Sequence, residues 1–351
     1  MTASDDPVPI RVTTTDYHTG GEPFRIVTAG VGPLEGRTVL ERRTFARDHL
    51  DRIRHLLVDE PRGHADMYGC FVTEPDDDGA DLGVVFFHNE GYSTACGHGT
   101  IALVTWAIES GRLPPTVDGR EIGVDVPSGR LSCIARMDPD GVRVASVRFR
   151  NVPSFVIARD VQIPTSGGEI LCDVSYGGAF YASVDVRSLG LDVSPASLPA
   201  LIALQRELRP ALDRTLEVVH PDEPELRGIY GVIFWQDEPT SAPDLAEGIV
   251  LTQRNVTVFA DGEVDRSPCG SGTSARLALL AANGRLGPDG RYPLRHRSIV
   301  DSAFLGRVVG DVELGRRPAV VTEVEGSAYR TGEHVFELDP RDPLGTGFLL
   351  R

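Results

Sequence analysis

The sequence predicts an α/β fold made of two related halves. Three observations predict it. The first is a repeated heptad: Cys96-Gly97-His98-Gly99-Thr100-Ile101-Ala102 returns as Cys269-Gly270-Ser271-Gly272-Thr273-Ser274-Ala275, with the shared pattern C-G-x-G-T-x-A. The copies lie 173 residues apart (269 − 96), close to half of the 351-residue chain, as expected when one unit is used twice. The second is a strand-rich texture punctuated by Gly, Asp and Pro. The third is size, since a chain of this length makes about two domains.

The elements follow in order. Arg25 to Ala29 reads as a strand, and Phe45 to Val58 as a helix with Leu50, Ile53, Leu56 and Leu57 at helical spacing. Leu82 to His88 is a second strand. Thr100 to Ser110 (TIALVTWAIES) is a helix that stops at Gly111. Val142 to Arg150 is a strand, and the proline-containing stretch at Val152-Pro153 marks the boundary between halves. Pro199 to Leu212 reads as a helix. Thr273 to Ala282 (TSARLALLAA) is the counterpart of the first motif helix and stops at Asn283-Gly284. Both motif helices are apolar nearly all round, so both are expected to be buried.

Composition excludes several classes of function. Lys+Arg is 35 against 51 Asp+Glu, a net charge of −16, which repels nucleic acid and anionic membrane surfaces. The chain has no lysine, so all 35 basic residues are arginine. That removes the lysine Schiff base of pyridoxal-phosphate enzymes, the P-loop lysine and the kinase lysine. No run approaches the roughly 18 apolar residues of a membrane span. Met1 to Ile10 lacks the basic and apolar regions of a signal peptide. Cys70, Cys96, Cys133, Cys172 and Cys269 are odd in number and contain no Cys-x-x-Cys pair, which predicts reduced thiols and a cytoplasmic location.

Cys70, Cys133 and Cys172 read as small core residues. Cys96 and Cys269 stand apart because of their repeated context. A thiol at a helix N-terminus faces unpaired N–H groups and the positive end of the helix dipole, and both are expected to lower its pKa. The flanking glycines uncover amides that can seat a carboxylate. Two such motifs meeting at a cleft place a sulfur on each face of an α-carbon. One thiolate then removes the α-proton while the opposite thiol delivers one, which inverts the centre without cofactor or metal. Two rivals are weaker. The glycines imitate a dinucleotide fingerprint, but that motif does not explain a Cys before the first Gly in both copies. Cys96 and His98 are too few ligands for zinc.

These residues resemble the proline racemase family, with its hydroxyproline 2-epimerases and trans-3-hydroxy-L-proline dehydratases. The likeness spans almost the whole chain. It runs through Asp16-Tyr17-His18-Thr19-Gly20-Gly21-Glu22-Pro23, Pro61 to Met67, His88-Asn89-Glu90-Gly91-Tyr92, Gly177-Gly178-Ala179-Phe180-Tyr181, Asp265 to Thr273, Gly326 to Gly332 and Asp339 to Arg351. The resemblance implies the diaminopimelate-epimerase type of fold: two pseudo-symmetric domains, each a sheet wrapped around a central helix, with the site in the cleft. The halves are then 1–153 plus 326–351, carrying Cys96, and 154–325, carrying Cys269. It also implies that Cys96 and Cys269 are the acid/base pair and that the backbone of Gly97, His98, Gly270 and Ser271 seats the carboxylate. Asp265 and the His98 side chain fall near the substrate nitrogen. His18 and His64 are expected to be structural.

The expected activity is inversion of the α-carbon of proline or hydroxyproline, as in a 4-hydroxyproline 2-epimerase, with no cofactor. The stretches His88–Tyr92 and Gly178–Tyr181 look like the dehydratase branch, which makes trans-3-hydroxy-L-proline dehydration the alternative. That branch usually carries Thr where this chain has Cys269, and elimination needs no thiol to reprotonate the opposite face. Ala95 departs from the Met common before the first Cys. A catalytically idle amino-acid-binding protein is the alternative of another class. The expected partner is a small amino acid, and a homodimer is the default assembly.

Overall fold

The structure is a computed structural model that describes residues 10–115, 119–287, 291 and 293–350. The reading of Met1 to Ile10 therefore lies, but for Ile10, outside the described residues. Among the described residues, seventeen strands belong to one hydrogen-bonded sheet. The sheet curls so that each motif helix is wrapped by strands. The helix Gly97–Glu109 packs on the strands Ile10–Thr19, Val144–Arg150 and Ala328–Leu338. The helix Gly270–Ala282 packs on Phe155–Thr165, Gly168–Tyr176, Ala303–Leu314 and Arg317–Gly326. Every residue from Gly97 to Ile108 is buried, as is every one from Gly270 to Leu280, as an all-round apolar pattern requires.

Two ladders join segments far apart in the chain. Ala328–Leu338 runs antiparallel along the whole of Ile10–Thr19. Arg317–Gly326 pairs with Ala303–Leu314 on one side and with Val144–Arg150 on the other. One apolar core surrounds the first motif helix, with Phe24, Phe86, Ile101, Leu103 and Phe149. A second lies in the later half, with Phe155, Tyr176, Phe180, Leu208 and Phe234. No helix of the described residues is long and apolar enough to cross a membrane.

The elements differ from the sequence reading mainly at their ends. The helix expected over Phe45 to Val58 is two helices, Val39–His49 and Asp51–Val58, broken at Leu50. Thr38 caps the first by accepting from the Glu41 N–H, so it begins earlier than its apolar residues reveal. The motif helices also begin earlier than expected, at Gly97 and Gly270, each with its Cys as N-cap. The glycine-rich segments are thus the first turns of the helices rather than turns before them. Both helices stop at a left-handed glycine, Gly111 at φ 75° and Gly284 at φ 66°.

The motif helices meet tip to tip. A Cβ built on Gly97 would lie 2.5 Å from the Gly270 Cα and 2.9 Å from the Phe149 ring. A Cβ on Gly270 would lie 2.5 Å from the Gly97 Cα. A methyl at either place must push the helices apart. Gly97→Ala and Gly270→Ala are each expected to cost about 1–3 kcal/mol by overpacking. Denaturant unfolding at neutral pH checks this, and wild-type stability in either variant would refute the contact.

Candidate active site

The geometry accounts for each shared letter of C-G-x-G-T-x-A. The first glycine makes room for the other helix. The second makes room for the chain's own sulfur: a Cβ on Gly99 would lie 2.7 Å from Cys96 Sγ, and one on Gly272 would lie 3.0 Å from Cys269 Sγ. Each sulfur accepts that glycine's N–H, at 3.3 Å for Gly99 and 3.4 Å for Gly272. The threonines turn inward and donate to the carbonyl of their own Cys, at 2.9 Å from Thr100 and 2.7 Å from Thr273. Ala102 and Ala275 are fully buried, where a larger side chain has no space.

The caps differ in backbone. Cys96 is extended, with φ −152° and ψ 96°. Cys269 lies at φ 63° and ψ 112°, a conformation L residues rarely adopt and one that must be held by its surroundings. Asp265 and Ser267 hold it. Asp265 Oδ1 accepts the Ser267 N–H at 2.8 Å, and Ser267 Oγ accepts the Cys269 N–H at 3.1 Å.

The variable position x gives each sulfur a different companion. On one side, His98 Nε2 lies 3.4 Å from Cys96 Sγ. The imidazole packs edge-on against Phe24 and Tyr68, and its Nδ1 lies 3.8 Å from Asp265 Oδ2. On the other side, Ser271 Oγ is 2.7 Å from the Tyr181 hydroxyl, and both oxygens are 3.8 Å from Cys269 Sγ. The fold thus gathers Cys96, Gly97, His98, Asp265, Cys269, Gly270 and Ser271 around one point. Cys70, Cys133 and Cys172 are buried elsewhere, in the strands Tyr68–Thr73, Gly129–Met137 and Gly168–Tyr176. His18 Nδ1 accepts the Gly21 N–H and His64 Nδ1 contacts the Ala65 carbonyl, both local turn contacts. No trio of His, Cys, Asp and Glu gathers to hold a metal among the described residues.

The charge state of the thiols corrects the sequence reading. Helix amides do pull both thiols down, as expected, but burial pushes harder. The thiols are only 5% and 6% exposed, and a buried anion loses its hydration. Cys96 is held well above the ordinary thiol range by burial, with Asp265, Cys269 and Glu22 adding negative charge nearby. Cys269 is pushed up to about 12 by burial and then by Asp265. Burial also lowers His98, against the pull of Asp265, so its imidazole is neutral.

Several neighbours had no signal in the sequence. Glu22 is fully buried, and its Oε2 accepts the Arg266 N–H at 2.6 Å while Oε1 has no hydrogen-bond partner among the described residues. Burial, and then the nearby Asp265, raises its pKa well above the carboxylate range. Asp66 bonds to the Arg266 side chain at 2.9 Å and accepts the Val264 N–H at 3.1 Å. His88 pairs with Glu263 at 3.0 Å. Glu22, Tyr181 and these partners sit in recognisable motifs, but only the folded chain brings them together.

A profile of the proline racemase family matches residues 14–349. The chain belongs to the proline racemase family. A trans-3-hydroxy-L-proline dehydratase of Bacillus cereus is 46% identical over 338 residues, covering 96% of this chain and 98% of that protein. A 3-hydroxyproline 2-epimerase of Burkholderia multivorans is equally similar, 46% over 341 residues, covering 97% and 98%. Among solved structures, a hydroxyproline epimerase from Agrobacterium vitis with bound trans-4-hydroxy-L-proline has a TM-score of 0.86 at 33% identity, covering 97% and 96%. The expected α/β fold class agrees with that neighbour, and the family is one of enzymes, both epimerases and dehydratases.

The buried Glu22 has a consequence for stability. A carboxyl whose pKa is raised on folding binds its proton more tightly in the native state, so its contribution is favourable below the unfolded value and is lost as pH rises toward the folded value. Glu22→Gln removes this loss. The variant is expected to match wild type near pH 4 and to be more stable at pH 8, by urea unfolding at both. A wild type favoured at pH 8 would show the ionised carboxylate to be stabilising instead.

Proposed function

We propose that this enzyme inverts the α-carbon of proline or a hydroxyproline with Cys96 and Cys269 as a two-thiol acid/base pair. The contact between the helix tips at Gly97 and Gly270 carries the reading. In this reading the two capping sulfurs flank one small space lined with helix N-terminal amides, and the N–H groups of Gly97, His98, Gly270 and Ser271 receive the substrate carboxylate. Asp265 and His98 lie toward the ring nitrogen. The scheme uses no pyridoxal phosphate or other cofactor and suits a cytoplasmic enzyme. Its site belongs to two halves, 1–153 with 326–351 and 154–325, a division supported by the ladder between Ala328–Leu338 and Ile10–Thr19.

The chemistry is a relay of protons. One thiolate takes the α-proton and becomes a thiol. Electron density moves from the broken C–H bond onto the carboxylate, where the amides of two helix ends meet it. The opposite thiol gives its proton to the other face and becomes the thiolate. The net charge of the sulfur pair is unchanged, and the enzyme is left ready for the reverse reaction. The raised thiols fit this role. A base must be reprotonated as readily as it is deprotonated, and an acidic thiol would be a poor partner for a carbon acid.

A second reading, dehydration of trans-3-hydroxy-L-proline, is favoured by the names of equally similar relatives. Cys269 favours inversion, because elimination leaves a second sulfur without a task. An amino-acid-binding protein that does no chemistry is the reading of another class.

Heavy water separates the three. Incubated with proline and its 3- and 4-hydroxy isomers, the enzyme is expected to exchange the α-proton with inversion. An imine reducible by borohydride would instead mark dehydration, and binding without exchange a sensor. Cys96→Ser and Cys269→Ser are each expected to lower inversion at least about 100-fold, and full inversion by either variant would end the two-thiol scheme. Because both thiols are raised, kcat/KM should climb with pH beyond neutrality and fall again once the second thiol ionises. These limbs belong to the pair. A profile flat across both limbs, with chemistry limiting, would contradict it.

A further inference from the structure

The pseudo-symmetry breaks at the companion of each sulfur. At the Cys96 tip the variable residue is His98. At the Cys269 tip it is Ser271, and a phenol from a distant strand completes the difference. Tyr181 lies in the strand Phe180–Asp185 and is fully buried. Its ring stands edge-on to Tyr230, with centroids 5.7 Å apart, and Tyr230 stacks on Phe259 at 5.3 Å. The phenol is therefore fixed, with its hydroxyl 2.7 Å from Ser271 Oγ and 3.8 Å from Cys269 Sγ. Burial, and then the nearby Cys269, raises the phenol's pKa and keeps it protonated, so it remains a donor. The two hydroxyls bond to each other, and one bond between two O–H groups leaves one hydrogen of the pair to donate elsewhere.

Resting on the two-thiol reading, we propose that Tyr181 and Ser271 form the receptor for the ring hydroxyl of the substrate, and that Tyr181 is the residue that selects a hydroxyl on C3. The argument is stereochemical. The sulfurs face the two sides of the α-carbon, so a group beside Cys269 touches substituents on the Cys269 side of the ring. A hydroxyl on C3, next to the reacting carbon, is nearer that sulfur than one on C4. Inversion at the α-carbon leaves C3 untouched. A C3 hydroxyl that starts on the Cys269 side therefore ends there, and one receptor on one side serves both substrate and product. On the Cys96 side the phenol of Tyr68 is engaged by Ser93 Oγ and by the Tyr230 hydroxyl at 3.1 Å, and the companion of the sulfur is the imidazole of His98. A site that hydrogen-bonds a substrate hydroxyl discriminates against analogues that lack it, because the donor it offers is then left unused.

The test compares trans-3-hydroxy-L-proline with L-proline by α-proton exchange in heavy water. In Tyr181→Phe the KM for the hydroxylated substrate should rise about tenfold, the scale of one lost hydrogen bond. The ratio of kcat/KM between the two substrates should fall by a similar factor. Ser271→Ala, which keeps the backbone N–H, should lower the same ratio and guards against a folding defect in the first variant. Equal losses on both substrates, or a ratio within twofold of wild type, would overturn the receptor while leaving the two-thiol reading intact. If the wild type exchanges proline too slowly to measure, an unchanged KM for the hydroxylated substrate overturns it. If the wild type exchanges no member of the panel, both readings fall.

Discussion

The site depends on one contact, the abutment of two helix N-termini through Gly97 and Gly270. It is not an arrangement that folding would favour for its own sake. Two positive dipole ends face each other, and the uncapped amides of both first turns crowd into one buried space. Sulfur relieves only part of this. Each Cys accepts one N–H, from Gly99 or Gly272, and a thiol is a weak acceptor compared with the Ser, Thr or Asp that usually caps a helix. A helix tip so weakly capped favours an anion, and in the proposed reaction that anion is the substrate carboxylate.

Burial then decides how that demand is expressed. In water, a helix tip would pull a thiol toward the thiolate. Here the same closeness of the halves that aligns the tips also removes solvent, and desolvation outweighs the amides for both sulfurs. The positive field is therefore not spent on ionising cysteine, and it remains available to a ligand.

Much of this is legible in the chain, and the limits are physical. The spacing of C-G-x-G-T-x-A carries the site because every shared letter answers a local contact: helix tip, sulfur, carbonyl or core. The capped start of Val39–His49 was hidden because Thr38 marks it by a hydrogen bond, whereas periodicity marks only apolar residues. The break at Leu50 is hidden because residues of both pieces pack into one apolar core. The thiol shift had the wrong sign in the sequence reading because helix position is written locally, while burial depends on strands far along the chain. Glu22 and Tyr181 lie within the family motifs, but their roles are not legible there for the same reason. Tyr181 reaches Ser271 across 90 residues, and Glu22 reaches Arg266 across 244.

Those long-range ties explain how a strand of three residues, Glu263–Asp265, can hold Asp265 against the imidazole of His98. So short a strand has little ladder of its own. It is anchored instead by buried polar side chains from the first third of the chain: Asp66 on the Val264 N–H, Glu22 on the Arg266 N–H, and His88 beside Glu263. Burying such groups costs stability unless the partners are well made. An apolar clamp would hold the strand at less cost but would leave its backbone amides without acceptors. Carboxylates hold those amides directly, so the position of Asp265, and through Ser267 the unusual backbone of Cys269, is set by hydrogen bonds rather than by packing alone. Asp265, held in this way, is the carboxylate that raises both thiols beyond the effect of burial.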